Sequence, residues 1–136
     1  MIVDGIDHIV MSCRDPETIA HWYERALGFT RETYSSPAAP GPRIALKFGV
    51  HKLNLRTTGD ASWETCRADA PGSLDLCFLT SGSLKPVLER WTAEGVPVTV
   101  GPVPRTGARG RMMSIYTEDP DGNLVEVATY SADPLA

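Results

Sequence analysis

Two ionisable side chains stand inside apolar runs near opposite ends of this chain, Glu126 and His8. Side chains of these types can hold a metal ion, move a proton or anchor a hydrogen-bond network. Glu126 lies in Asp119-Pro-Asp-Gly-Asn-Leu-Val-Glu-Val127, and an ionised Glu among hydrophobic neighbours is costly unless a cation or donor meets it. His8 lies in Ile6-Asp-His-Ile-Val-Met-Ser-Cys13; imidazole is the commonest metal-binding side chain. Each residue also has a plainer reading. Glu126 would face water from an edge strand, and His8 would be a hydrogen-bonded structural residue.

The elements that must position them can be read locally. Pro120 presets its backbone angle and Asp121-Gly122-Asn123 tolerates turn conformations, so the chain reverses before Leu124. Strand alternation then puts Leu124, Glu126 and Ala128 on one face, as it does Ile6, His8, Val10 and Ser12 in the first strand. Asp15 as N-cap, Pro16 at the first helical position, apolar Ile19, Trp22, Tyr23, Ala26 and Leu27, and a stop at Gly28 mark a helix. A second strand over Gly72–Leu79 and a helix from about Leu84 to Glu94, stopped by Gly95, repeat the plan and align His8 with Asp75. Strand-like runs follow near 29–35, 43–49 and 51–57, and again near 96–100, 111–117 and 124–130. The expectation is an α+β protein of two β-α-β-β-β modules, about 4–58 and 72–130 of one 1–136 domain. Each module is too small to protect its own apolar face, so the two pack or pair. Pro37–Pro42 and Thr58–Pro71 read as loops; the second, with Trp63 and Cys66, is a lid, a subunit contact or a packed surface loop. Arg105–Gly110 reads as a closing loop or a flexible basic turn.

Composition narrows the partners. The 136 residues are 42% hydrophobic and 22% charged, values of one globular domain. A net charge of −4 with no basic run argues against nucleic acid. The three cysteines, Cys13, Cys66 and Cys77, form no CxxC pair and suit a reducing cytoplasm. No signal peptide is read at the N-terminus, and no apolar stretch approaches the ~18 residues of a membrane span.

Asp7-His8-Ile-Val, Trp22-Tyr23-Glu-Arg-Ala-Leu-Gly28-Phe and Asp119-Pro-Asp-Gly-Asn-Leu-Val-Glu126, in that order, resemble the vicinal oxygen chelate superfamily of glyoxalase I, fosfomycin-resistance thiol transferases, extradiol dioxygenases and bleomycin-binding proteins. With Arg105-Thr-Gly107, the chain resembles a small single-module glyoxalase-domain group. The resemblance implies a curved eight-stranded cup with helices outside and a divalent metal held by His8, Asp75 and Glu126. Asp75 stands where the best-known enzymes carry His or Gln, and Asn54 where glyoxalase I carries Glu. One His with two carboxylates favours harder ions, and Mn²⁺, Fe²⁺, Zn²⁺ and Ni²⁺ are the candidates. His51 falls on the opposite strand parity from Asn54, and His21 on a helix; both read as surface residues. Parity gives the cup Lys52, Asn54, Arg56, Asp75, Cys77 and Leu79, and gives the helix side Leu53, Leu55, Leu74, Leu76, Phe78, Val125 and Val127. Lys52, Asn54, Arg56 and Arg105 are the expected substrate contacts, the cations meeting an anion. The implied function is a metal-dependent lyase, transferase or dioxygenase, working as a homodimer, in which Glu126 also moves a proton. The alternative is a metal-free drug- or natural-product-binding protein.

Overall fold

The computed structural model describes residues 1–37 and 39–136. The element order is β1 (His8–Cys13), α1 (Pro16–Leu27), β2 (Thr30–Ser36), β3 (Ala39–Phe48), β4 (His51–Thr57), β5 (Asp75–Leu79), α2 (Lys85–Glu94), β6 (Val100–Gly107), β7 (Gly110–Glu118) and β8 (Leu124–Thr129). These form two four-stranded sheets with the orders β1-β4-β3-β2 and β5-β8-β7-β6, the expected α+β repeat. The chain divides into two compact units, Met1–Ser73 and Leu74–Ala136. Neither helix is long and apolar enough to cross a membrane.

Within each unit the first strand runs parallel to the last, while the remaining neighbours are antiparallel. His8 pairs with Lys52 and Val10 with Asn54; Asp75 pairs with Leu124 and Cys77 with Glu126. The repeat therefore sets Asn54 and Glu126 at equivalent places, each opposite the third residue of the parallel strand beside it.

The first unit is built as its local chemistry dictates. The Asp15 side chain accepts from the Glu17 backbone N–H at 3.1 Å, Pro16 opens the helix, and Gly28 closes it at φ 70°, a left-handed angle that favours glycine. Ile19, Ala20, Tyr23 and Ala26 of α1, with Leu46, Leu53 and Leu55 of the sheet, are buried. Phe29 continues this core, stacking on Tyr23 at 5.7 Å and on Phe48 at 4.3 Å between centroids. In the second unit Leu84, Trp91, Ile115 and Val125 are fully buried.

Three expectations are corrected. The loop expected over Pro37–Pro42 is strand from Ala39 onward, with Ala38 outside the described residues. β3 pairs with β4 only from Ile44, so at Pro42 its ladder runs to β2 alone, and a strand paired on one side tolerates proline. The basic loop expected at Arg105–Gly110 is strand as far as Gly107, and the strand expected near 96–100 begins only at Val100. β6 is an edge strand, which accommodates Pro102 and Pro104, and Arg105 pairs with Met112.

Candidate functional site

The second sheet brings three side chains into one cross-strand row, and a fourth, Arg105, reaches it from further along β6. Glu126 of β8 lies directly opposite Tyr116 of β7 and, on its other side, Cys77 of β5. It is only 7% exposed. The Tyr116 hydroxyl donates to Glu126 Oε1, and Arg105 Nε of β6 donates to the same hydroxyl oxygen at 3.0 Å. The guanidinium carbon of Arg105 lies 5.4 Å from the centre of the Tyr116 ring. Burial first, and then the Glu126 carboxylate, raise the Tyr116 pKa, with Arg105 opposing. The phenol therefore stays a donor at neutral pH. Burial and the same carboxylate push the Cys77 thiol up to about 12, so it too stays protonated and is a poor nucleophile.

The turn that delivers Glu126 is a hydrogen-bonded unit. Asp119 Oδ1 accepts from the backbone of Asp121 at 3.0 Å and of Asn123 at 2.9 Å. Asn123 Oδ1 accepts from Leu74 N at 3.0 Å, just before β5. Asp119-Pro-Asp-Gly-Asn thus fixes the register of β8 against β5, and with it the Cys77–Glu126 pairing.

Of the expected metal ligands, His8 belongs to the first unit and Asp75 and Glu126 to the second. Asp75 is exposed and opposite Leu124, one strand repeat away from the residue that faces Glu126. His8 is half exposed, and its Nδ1 lies 2.7 Å from Asp7 Oδ1. That bond is the chief cause of the lowered Asp7 pKa. Among the described residues no three His, Cys, Asp or Glu side chains gather as they would around an ion. Within the second unit, the residues around Glu126 do not by themselves make a ligand set for a divalent metal.

The first sheet's corresponding face carries Lys52, Asn54 and Arg56 opposite His8, Val10 and Ser12. Arg56, 3% exposed, donates to Asp69 and to the carbonyl of Asp60 at 2.7 Å. Asp69 also accepts from Ser12 Oγ and from Gly59 N at 2.9 Å. The Ser12, Gly59 and Arg56 donors hold its carboxyl at about 2. Arg56 is thereby a loop anchor, its charge already met. Lys52 is also engaged, 3.6 Å from Glu32 and 4.2 Å over the Tyr34 ring. Asn54 is buried, and its Oδ1 has no hydrogen-bond partner. His21 and His51 are exposed, as expected.

Sequence reading missed Tyr116 and Asp69. Tyr116 was accessible: the hairpin begins with Glu118 opposite Leu124, and two residues further along each strand the partners are Tyr116 and Glu126. Asp69 sits in a polar loop with no periodicity to mark it.

The family model of the Glyoxalase/Bleomycin resistance protein/Dioxygenase superfamily matches residues 5–127. Virulence protein STM3117 of Salmonella typhimurium is 42% identical over 130 residues, 96% of this chain and 87% of the relative. Its crystal structure aligns with a TM-score of 0.86, covering 96% of this chain and 100% of that one. A structure from the mobile metagenome of V. Pseudocholerae is 40% identical with a TM-score of 0.88, covering 96% and 98%. More distant likenesses show the fold alone: TnmS3, an antibiotic binding protein from Streptomyces sp. CB03234, at 23% identity, covering 96% and 99%, with a TM-score of 0.72, and the fosfomycin resistance protein FosX from Listeria monocytogenes, complexed with Mn(II) and a dihydroxypropylphosphonic acid, at 18%, covering 98% and 95%, with a TM-score of 0.62. The chain belongs to the Glyoxalase/Bleomycin resistance protein/Dioxygenase superfamily.

Proposed function

We propose that this chain binds a small, oxygen-bearing, anionic molecule on the open face of its second sheet. Arg105 meets the negative charge, the Tyr116 hydroxyl turns from Glu126 to donate to an oxygen of the ligand, and Glu126 then accepts from a hydroxyl or amine beside it. The observation that carries this reading is the hydrogen-bonded chain from Arg105 to Tyr116 to Glu126, a cation, a neutral donor and an acceptor on three adjacent strands. A few convergent polar groups fix a ligand's orientation. TnmS3, which shares the fold, is named as an antibiotic binding protein.

The same groups could support catalysis. A phenol backed by a guanidinium stabilises charge developing on a ligand oxygen, and a carboxylate beside it takes a proton. The second reading is the metal-dependent enzyme, favoured by one observation: Asp7 occupies His8 Nδ1, which orients Nε2 as a ligand. FosX is complexed with Mn(II) in the structure of that name. Lys52 and Asn54 would then contact substrate, with Asp75, His8 and Glu126 as ligands. In either case the working form is a homodimer in the cytoplasm.

Calorimetry with matched carboxylate, phosphonate and neutral diol ligands tests the leading reading. Anions should bind in preference to the diol, and Arg105→Ala should weaken them by about 1.5 kcal/mol or more. Equal affinity for the diol, or an Arg105→Ala effect under about 0.5 kcal/mol, would remove its basis.

A further inference from the structure

We propose that Tyr130 is a positioning residue: it clasps the tip of the β6–β7 hairpin and so holds Arg105 in reach of Tyr116. The inference rests on the reading of Arg105 as the cation that meets the ligand. Its starting point is the run Arg105-Thr-Gly107, of which the ligand site uses only the first residue. Gly107 is not among the glycines with positive φ, so its backbone would accept any side chain. Space is what excludes one. A Cβ at this position would meet the Tyr130 hydroxyl and come within 2.7 Å of Met112 Sδ.

Residues 105 and 107 share a face of β6, and Arg105 lies opposite Met112. The Tyr130 hydroxyl therefore takes the place that a side chain two residues beyond Arg105 would fill. Two more contacts fasten it. The hydroxyl oxygen accepts from the Arg109 backbone N–H at 3.1 Å, and the Arg109 guanidinium carbon lies 4.2 Å from the centre of the Tyr130 ring, a cation–π contact. Tyr130 directly follows β8, the strand that carries Glu126, so the clasp ties the free end of the hairpin to the strand of the carboxylate. The edge position of β6 makes this tie matter. β6 has one hydrogen-bonded neighbour, contains Pro102 and Pro104, which donate no backbone hydrogen bond, and is irregular in register between Val100 and Val103. Arg105 is exposed, and its 3.0 Å bond to the Tyr116 hydroxyl is made from that weakly tied strand. Pinning the hairpin tip keeps the Arg105 backbone in register and lowers the entropy that a ligand would otherwise have to remove.

Hydrogen exchange at the Arg105 Nε–H, followed by NMR in the full chain without ligand, tests the clasp. Tyr130→Phe keeps the ring and removes the acceptor of the Arg109 amide. It should speed the Arg105 Nε–H exchange about threefold or more, toward the rate in Tyr116→Phe, where the acceptor of that bond is gone. The amides of Ile115 and Val125, both fully buried, should keep their rates, which a general loosening of the fold would raise. A smaller change at Arg105, a rise shared by the Ile115 and Val125 amides, or an unmodified rate no slower than that of Tyr116→Phe would overturn the clasp. If Tyr130→Phe does not fold, as judged by circular dichroism, Gly107→Ala carries the same comparison, because its methyl group displaces the Tyr130 hydroxyl. The readout needs no ligand. A protein that binds no carboxylate would remove the anion reading and leave the exchange result standing, and a failed clasp leaves the Arg105→Ala ligand test intact.

Discussion

At the scale of single residues, the role of a charge depends on what already meets it. Arg56 and Lys52 share a strand face, and sequence alone leaves both open to an anionic ligand or to water. In the folded chain Arg56 closes on Asp69, and Lys52 sits between Glu32 and Tyr34. Those partners come from a loop and from β2, so strand parity carried no trace of them. Glu126 was legible, because a charge inside an apolar strand demands a partner, and Tyr116 is that partner. Asp69 has a pH signature. Its folded pKa of about 2 lies below the ordinary 3.8, so the folded state is favoured by its ionisation above pH 4 and loses that contribution as pH falls through the folded value. The melting temperature should fall between about pH 4 and 2, and Asp69→Asn should flatten that part of the profile while lowering the temperature at neutral pH. Parallel curves for the two proteins would show that the carboxylate does not hold the loop.

Among elements, the helices were the most readable because their ends are chemically marked. Asp15, Pro16 and Gly28 bound α1 as expected. Asp15→Ala should cost about 1 kcal/mol in urea unfolding with an unchanged slope, since the Glu17 N–H and the Thr18 hydroxyl, which bonds Asp15 at 2.8 Å, both lose their acceptor. No loss of stability would mean that water caps the helix equally well. α2 starts without a side-chain cap, at Leu84, which instead is fully buried. The strands at the sheet margins were hardest to read. Proline and glycine punctuate β3 and β6 as they do loops, and only the pairing partner shows that a strand hydrogen-bonded on one side can carry them. Central strands β4 and β8 were legible nearly to the residue.

For the whole molecule, the repeat was written in the order of elements, but assembly has to be argued from what each sheet leaves open. β1 and β2 in one sheet, and β5 and β6 in the other, have a single hydrogen-bonded neighbour within their own sheet. Unpaired edges and apolar surface invite association unless charge or proline blunts them. Pro102, Pro104 and Arg105 blunt β6, whereas Ile2, Val3 and Ile6 leave large apolar side chains exposed just ahead of β1. Water-exposed side chains of that size, clustered in the chain, are better accounted for by a partner than by solvent. The expected state is therefore a homodimer whose interface includes this segment. Light scattering at micromolar concentration should give twice the mass of one chain. The double change Ile2→Asp and Ile6→Lys should shift it to the monomer without altering the far-ultraviolet spectrum, because neither side chain contributes to the core. A monomer before any substitution, or a dimer indifferent to both charges, would place the interface elsewhere or remove it, and the apolar segment would need a different occupant.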